Sequence, residues 1–352
     1  QPQVKLRDGS LIFIGTHAAV FRIVSVTELA AMRAELENPL APVPTVNPTF
    51  AVICGNLRKL ATSGEEILLT GETGVGKEVY ARAIHEASGR KGRFVAVNCA
   101  AIPRELVESE LFGYVRGAHS QASQSKPGII EEAEEGTLFL DEIGDMAPEL
   151  QTKLLRFTQD RLLAPVGGTR QRRIDTRILA ATSRSAPPGK TGGAGLRADL
   201  SARLGAEPIR IPPLRERMED LGALIAYLRG ERLRPFELMA FQALCLHTWP
   251  GNVRELGKVV TSGEALSRGA ERIMADHLPL TISATPARIR ASGASGRVPR
   301  PPPSALELEE LMRRFQGNML RVARELERKP ALVYRWAKRF KLSADDFRPK
   351  DE

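Results

Sequence analysis

The sequence has few cysteines, few aromatic residues and no long apolar run. Its three cysteines, Cys54, Cys99 and Cys245, are scattered and lack C-x-x-C spacing, which argues against a disulfide framework and fits a reducing cytoplasm. No uncharged apolar run approaches the roughly 18 residues that a membrane span needs, and nothing resembles a secretory signal. The chain starts at Gln1 rather than Met, as expected of a fragment or a processed form. We therefore expect a cytoplasmic protein with no membrane partner.

Basic residues are in excess over acidic ones. The 352 residues include 51 Lys and Arg against 42 Asp and Glu, a net charge of +9. This balance favours contact with nucleic acid or nucleotides, although the location of the charge carries more information than its sum. A chain of this length has room for two or three domains.

Short β-like and helix-like segments come first. The β-like runs are Gln3–Leu6, Leu11–Ile14 and Ala19–Val24. Asp8-Gly9 lies between the first two runs and predicts a hairpin there. Residues 1–26 resemble the last strands of a forkhead-associated domain, a reader of phosphothreonine. A helix is then expected from Thr27 to Glu37, before a proline-rich linker.

Apolar runs alternate with helical patterns in the central part of the chain. The strand candidates are Ile67–Thr70, Phe94–Asn98, Thr137–Leu140, Arg177–Thr182 and Pro208–Ile211. Their alternation with helices predicts a mainly parallel, three-layer α/β sheet. From about Arg217 only helices follow, to about Leu280. Within them, Trp249-Pro250-Gly251-Asn252 is interpreted as a turn in which Asn252 caps the next helix.

A glycine-rich turn follows the first strand candidate. It reads Gly71-Glu72-Thr73-Gly74-Val75-Gly76-Lys77-Glu78 and matches G-x-x-x-x-G-K. Such a turn between a strand and a helix offers backbone N–H groups, a helix N-terminus and a lysine to a polyphosphate. Glu78 stands where a Ser or Thr hydroxyl usually holds magnesium. From this motif alone, a glycine-rich turn with a chance lysine therefore remains an alternative.

A pair of carboxylates follows the third strand candidate. Asp141 and Glu142 come at its carboxyl end, where open α/β sheets bind their ligands. One carboxylate suits a Mg²⁺ ion that bridges phosphates, and the next suits polarisation of an attacking water. A solvated turn would also carry charge here, but the upstream phosphate loop favours a nucleotide site. The expected cofactors are ATP and Mg²⁺.

The segment from Ser304 has the spacing of a helix-turn-helix. Ser304 and Glu307 form a capping box, Gly317-Asn318 separates two helices, and Pro330 begins a third. The inward stripe of the third helix is Leu332, Val333, Trp336 and Phe340. The net charge from residue 317 to residue 341 is +6, which suits the phosphates and bases of a major groove, with a solvated basic face as the alternative. The candidate DNA contacts are Arg328, Lys329, Tyr334, Arg335, Lys338 and Arg339.

Six longer motifs occur in one order along the chain. They are Gly71–Glu78, Val97–Ala100, Glu108–Gly113, Thr137–Glu142, Pro212–Arg217 and Trp249–Leu256. Together they resemble the bacterial enhancer-binding proteins, the AAA+ ATPases that activate sigma-54 RNA polymerase and whose phosphate loop commonly ends in Lys-Glu. The resemblance spans residues 46–280 and resumes in the C-terminal helices. It implies an AAA+ three-layer parallel sheet, a small helical lid and an all-α helix-turn-helix domain.

The resemblance implies roles at the nucleotide. Lys77 would bind the phosphates, Asp141 the magnesium and Glu142 the hydrolytic water. Asn98 would restrain Glu142 until the substrate is engaged, although Asn98 could equally cap a turn. Arg254 would sense the γ-phosphate.

The resemblance also implies assembly, from a dimer on DNA to a hexameric ring. Arg197 and Arg203 match the family positions that reach into the neighbouring subunit's site, where arginines stabilise transition-state charge. A surface salt bridge is the alternative for either arginine.

Two stretches depart from the family pattern. The first sensor usually reads Ala-Thr-Asn, whereas Ala181-Thr182-Ser183 offers a hydroxyl, from which slower or less tightly gated hydrolysis is expected. The sigma-54 contact loop, which the family writes Gly-Ala-Phe-Thr-Gly-Ala, reads Gly117-Ala118-His119-Ser120-Gln121-Ala122. His119 replaces an apolar ring with a titratable one, and Gln121 lacks the backbone freedom of glycine.

Two functional hypotheses follow. The first is an ATP-hydrolysing, DNA-binding regulator that acts on sigma-54 RNA polymerase from an upstream site. The second is a DNA-binding regulator whose AAA+ domain no longer engages sigma-54. A general unfoldase is disfavoured by the helix-turn-helix. The predicted domains are the β remnant 1–26, helix and linker 27–48, the α/β ATPase subdomain 49–216, the lid 217–280, a linker 281–303 and the DNA-binding domain 304–352.

Overall fold

The chain folds into a larger α/β unit, residues 1–295, and a smaller helical unit, residues 296–352. The computed structural model describes residues 6–14, 17–118, 122–183, 195–205, 207–230, 234–283, 303, 305–326, 330–340 and 342–347. The strands are β1 (Ser10–Ile14), β2 (His17–Phe21), β3 (Ile67–Thr70), β4 (Phe94–Asn98), β5 (Thr137–Asp141), β6 (Leu162–Leu163), β7 (Arg172–Arg173), β8 (Arg177–Thr182) and β9 (Ile209–Arg210). The α-helices are α1 (Val26–Glu37), α2 (Pro48–Ser63), α3 (Lys77–Ser88), α4 (Arg104–Phe112), α5 (Ile129–Glu132), α6 (Pro148–Asp160), α7 (Ala198–Arg203), α8 (Leu221–Arg229), α9 (Leu238–Leu246), α10 (Asn252–Leu266), α11 (Leu280–Ser283), α12 (Ala305–Arg314), α13 (Met319–Glu325) and α14 (Pro330–Arg339).

Five parallel strands form the central sheet, in the order β4-β5-β8-β3-β9. These are the five strands that the apolar runs predict, so the α/β fold class is confirmed. Asn98 pairs in register with Asp141, and Thr70 pairs with Thr182. Because all five strands run in the same direction, their carboxyl ends meet at one edge, where the phosphate loop leaves β3.

Apolar residues cover both faces of the sheet. Along β5, Leu138 and Leu140 pack with Leu154 and Phe157 of α6 on one face. Phe139, between them, belongs to a second cluster with α2 and α3 on the other face. This alternation follows from the two-residue period of a strand and accounts for the three layers.

Helices α8 to α11 form a lid with its own apolar core. Trp249 is fully buried in this core and donates its indole N–H to the Leu244 carbonyl oxygen at 3.1 Å. The predicted change from strands to helices after residue 217 is confirmed. None of the helices within the described residues is long and apolar enough to cross a membrane.

The N-terminal hairpin was not predicted, and the pairing predicted between the first two β-like runs stays a prediction. β1 and β2 are antiparallel and meet at residues 14 and 17, so the hairpin joins the second and third β-like runs. The predicted first strand, Gln3–Leu6, is wrong at Leu6, which lies outside any strand, and residues 3–5 lie outside the described residues. The turn predicted at Asp8-Gly9 is confirmed, because the Ser10 N–H donates to the Arg7 carbonyl oxygen at 2.9 Å. Asp8 also accepts a hydrogen bond from the Ile23 backbone N–H at 2.7 Å. Leu11 and Phe13 pack against the lid core, a long-range contact that local pattern does not encode.

The proline-rich linker is tied to the segment that leads into the lid. Thr45 donates its hydroxyl hydrogen to Asp220 at 2.7 Å, and the Val46 backbone N–H donates to the same carboxylate at 2.8 Å. Asp220 is almost fully buried, and burial raises its pKa above the usual range. The linker lacks regular structure, as its prolines predict, yet these buried hydrogen bonds fix its path.

Three helices surround a separate core in the smaller unit. Asn318 caps α13 by accepting the Arg321 N–H at 3.1 Å, and Val333 and Trp336 of α14 face inwards. The predicted inward stripe and helix boundaries are confirmed here. Ser304 of the predicted capping box lies outside the described residues.

Arg177 provides a test of the larger unit's stability. Its buried guanidinium donates to the carbonyl oxygens of Leu60 and Ala61, in the final turn of α2, where intrahelical donors are lacking, and to that of Glu65 just beyond the helix. Arg177→Met keeps the bulk and removes the donors, so we expect a loss of about 3 kcal/mol in the free energy of unfolding. Urea titration followed by circular dichroism measures it. Arg173→Met, at an exposed position of β7, should change stability little, and equal effects would contradict the assignment.

Candidate nucleotide site

The phosphate loop joins β3 to α3, and its glycines adopt positive φ angles. Gly74 and Gly76 have φ of 81° and 102°, which favour glycine. Helix α3 has no side-chain cap at its N-terminus, so this end is suited to an anion. Lys77 is 6% exposed, and its Nζ donates to the Gly71 carbonyl oxygen at 3.0 Å. The loop therefore holds its lysine folded back over its own backbone.

The two predicted carboxylates lie beside this lysine. Glu142 has a φ of 53°, an uncommon conformation for a residue with a side chain, and this turns it back from the end of β5. Its Oε1 is 3.6 Å from Lys77 Nζ. Its Oε2 accepts hydrogen bonds at 2.9 Å from both the backbone N–H and the hydroxyl of Ser183. Both carboxylate oxygens of Glu142 are thus engaged.

The carboxylate of Asp141 is suited to bind magnesium. Burial raises the pKa of its carboxyl above the usual range, and Lys77 opposes the rise. A divalent cation would stabilise the ionised carboxylate in such a setting. No group of three or more His, Cys, Asp or Glu side chains in the described part of the chain could hold a metal alone.

Asn98 acts as a turn cap in this structure. It lies at the end of β4 next to Asp141, and its Oδ1 accepts the Ala100 backbone N–H at 2.9 Å. This is the alternative that the sequence left open. The contacts described for Glu142 go instead to Ser183 and Lys77.

The lid closes over one side of the phosphate loop. A Cβ on Gly74 would collide with the Gly251 carbonyl oxygen, and the Arg254 backbone N–H donates to the Gly74 carbonyl oxygen at 3.3 Å. The backbone of Arg254 therefore lies next to the phosphate loop and its side chain is exposed; its role as a sensor of the γ-phosphate remains a prediction.

Asn252 does more than begin a helix. The prediction that it caps α10 is wrong, because α10 begins at Asn252 itself and the preceding Gly251 provides no side-chain cap. Its Nδ2 donates to the Thr73 carbonyl oxygen at 3.1 Å and to Glu72 at 3.2 Å. Its Oδ1 accepts the Leu214 N–H at 2.9 Å. This buried amide joins the phosphate loop to the lid.

Glu72 also binds Arg215, with an Nη1 to Oε2 distance of 2.7 Å, and this contact holds the pKa of Glu72 below its usual range. The sequence motif identified Glu72 as part of the loop but gave no sign of its partners Arg215 and Asn252.

The two arginines predicted to reach a neighbour lie on or beside α7. Arg197 is exposed and forms an ion pair with Asp199 at 2.7 Å. Arg203 donates to the Thr158 carbonyl oxygen at 2.7 Å within its own chain. Their role in a neighbouring site remains a prediction.

The base of the predicted sigma-54 contact loop is closed by a hydrogen bond. The Gly117 N–H donates to the Ala122 carbonyl oxygen at 2.8 Å, and Val115 N–H donates to Val166 at 3.1 Å. Ala118 packs at the same base, against Gly167. His119, Ser120 and Gln121 lie outside the described residues.

The predicted DNA contacts on α14 lie on its outer side. Tyr334 is 54% exposed, and Arg335 and Lys338 are exposed. Arg328, Lys329 and the side chain of Arg339 lie outside the described part of the structure.

Comparisons with known proteins identify the family of the chain. The Sigma-54 interaction domain matches residues 45–210, and the AAA+ ATPase lid domain matches residues 215–294. The transcriptional regulatory protein GlrR of Escherichia coli is 37% identical over 317 residues, which cover 87% of this chain and 69% of GlrR. The chain belongs to the sigma-54-dependent transcriptional regulators. This family carries an AAA+ ATPase domain.

Further relatives of this sigma-54-dependent regulator include NorR of Serratia proteamaculans, an anaerobic nitric oxide reductase transcription regulator. It is 38% identical over 304 residues, covering 80% of this chain and 60% of NorR. Among solved structures, NtrX from Brucella abortus in complex with ADP is 30% identical, with a TM-score of 0.62, and the match covers 90% of this chain and 73% of NtrX. NtrX has also been solved with ATP, and that structure matches with a TM-score of 0.60.

Asn252 gives a test of the contact between loop and lid. Asn252→Asp keeps the shape, loses both donated hydrogen bonds and places a carboxylate beside Glu72. We therefore expect ADP affinity to fall about tenfold, since the buried network around the phosphate loop is broken. Titration with a fluorescent ADP analogue measures the dissociation constant. Asn56→Asp, exposed on α2, makes the same chemical change without the contacts and should bind normally. Equal affinity of both variants would show that Asn252 does not position the loop.

Proposed function

We propose that this sigma-54-dependent regulator hydrolyses ATP with Mg²⁺ in a ring oligomer and uses the energy to remodel promoter-bound sigma-54 RNA polymerase. The observation that carries the proposal is the arrangement of Lys77, Asp141 and Glu142 around the phosphate loop. Asp141 holds the magnesium and Glu142 polarises the attacking water once both are in place. DNA and RNA polymerase lie in the cytoplasm of bacteria, which is where we place its action.

The ring completes the site. Arg197 and Arg203 lie on or next to one short helix and supply positive charge to the neighbour's γ-phosphate, with Arg254 sensing the same group from within the chain. Each arginine can leave its present partner at little cost in free energy, since Arg197 pairs with an exposed aspartate and Arg203 binds a single backbone carbonyl oxygen. Assembly therefore controls turnover.

The alternative function is a DNA-binding regulator that uses ATP for assembly without touching sigma-54. What favours it is the loop sequence Gly117–Ala122, in which His119 and Gln121 replace the family's Phe and Gly. An apolar contact residue gains from burial against a partner, whereas a titratable ring carries a desolvation cost. The two functions differ only in what the loop binds.

One experiment separates the two functions. The full chain is mixed with sigma-54 holoenzyme on a promoter probe melted at its start site, and ATP-dependent isomerisation and phosphate release are both measured. We expect isomerisation with the wild-type chain and none with Glu142→Gln, whose neutral amide cannot polarise water. Phosphate release without isomerisation would contradict action on sigma-54. Rescue by His119→Phe/Gln121→Gly would then locate the defect in the loop.

DNA binding is tested through α14. We expect Arg335→Ala/Lys338→Ala to weaken binding to a duplex of random sequence about tenfold or more and to reduce the salt slope by about one per lost phosphate contact. Fluorescence anisotropy at several salt concentrations gives both quantities. Arg313→Ala/Arg314→Ala removes the same charge from α12 and is the matched control. If the two double variants lose affinity equally, α14 is not the recognition helix.

A further inference from the structure

We propose that Ser183 is the positioning residue that holds Glu142 in a resting state, so that the restraint on the water-polarising carboxylate comes from the end of β8. The inference rests on the proposed role of Glu142. Ser183 occupies the position of the asparagine in the family's Ala-Thr-Asn pattern. The inference gives to Ser183 the restraint of Glu142 that the resemblance assigns to a different residue, Asn98.

The geometry at Glu142 carries the inference. Two donors of Ser183, its backbone N–H and its hydroxyl, lie 2.9 Å from the same oxygen, Oε2. Hydrogen bonds to a charged acceptor are roughly twice as strong as neutral ones. A carboxylate oxygen that accepts two of them is a poor acceptor for a third hydrogen from water. Glu142 is therefore turned towards β8 and withheld from a nucleophile.

Lys77 is the weaker of the two restraints. Its Nζ is 3.6 Å from Glu142 Oε1, beyond hydrogen-bonding distance, and it also donates to the Gly71 carbonyl oxygen. A polyphosphate in the loop offers Lys77 closely spaced anionic oxygens, so the lysine leaves Glu142 when nucleotide binds. The bonds from Ser183 then remain as the contact that must break before hydrolysis.

Ser183 is also placed to sense the loop. The preceding residue, Thr182, accepts the Gly71 backbone N–H at 3.3 Å through its carbonyl oxygen, and Thr182 pairs with Thr70 of β3. A shift of the phosphate loop on nucleotide binding thus reaches the end of β8 through one hydrogen bond. Asn98 lies on β4, which pairs with β5 and not with β3, the strand that leads into the phosphate loop. The Ser183 hydroxyl therefore links the position of the phosphate loop to the orientation of the Glu142 carboxylate.

The test is steady-state ATP hydrolysis by the full chain without sigma-54. Ser183→Ala removes the hydroxyl and keeps the backbone donor, so we expect kcat to rise about threefold to tenfold while KM for ATP stays the same. The dissociation constant of a fluorescent ADP analogue, measured in parallel, should also be unchanged. Ser183→Thr restores a hydroxyl and should return kcat to the wild-type value. A merely structural role would not produce a rise in kcat that the hydroxyl alone reverses.

Ser88→Ala is the matched control. The Ser88 hydroxyl, like that of Ser183, donates a hydrogen bond, but its acceptor is the His85 carbonyl oxygen at the far end of α3, so its removal should leave kcat unchanged. An unchanged or lower kcat in Ser183→Ala, with ADP binding intact, would overturn the inference. Turnover that survives Glu142→Gln would instead refute the role of Glu142 itself, so the two failures are distinguishable.

Discussion

The close contact between the lid and the phosphate loop governs the geometry of the whole nucleotide site. Gly74 meets the Gly251 carbonyl oxygen so closely that no side chain fits between them, and the buried amide of Asn252 bonds to the loop and to the start of the lid. Because α10 begins at this contact, the packing of the lid core around Trp249 fixes where the loop can lie. Nucleotide binding and lid position are therefore linked.

A second link runs from the N-terminal segment to the same loop. Thr45 and Val46 bond to Asp220, whose carboxylate lies 4.0 Å from the guanidinium of Arg217. Arg217 is buried against the ring of Phe50 and donates to the Val75 carbonyl oxygen at 2.8 Å. Buried charges are tolerated only when paired and hydrogen-bonded, and here Arg217 and Asp220, three residues apart, draw their other partners from the linker and from the phosphate loop. The linker is thus part of the framework of the ATPase domain.

Local pattern was sufficient for the sheet and for the chemical groups of the site. The five parallel strands were predictable because each is a short apolar run that both layers of helices bury, and the phosphate loop because its glycines and lysine are adjacent in sequence. Asp141 and Glu142 were found for the same reason, since they directly follow such a run. The helices of the smaller unit were marked by the asparagine cap at Asn318 and by their apolar spacing. These features depend on neighbours within a few residues.

Contacts between distant residues were decided only by the tertiary structure. Asn252 lies 180 positions from Glu72, and Ser183 lies 41 positions from Glu142. Neither hydrogen bond can therefore be predicted from a local sequence pattern. The turn at Asp8-Gly9 was predictable from two adjacent residues, whereas the pairing of β1 with β2 and the packing of Leu11 and Phe13 on the lid were not. Motifs of adjacent residues were enough to predict which groups form the candidate nucleotide site. Only the folded chain shows which of these groups form hydrogen bonds with one another. The free energy of a buried polar contact depends on partners that packing brings within hydrogen-bonding distance.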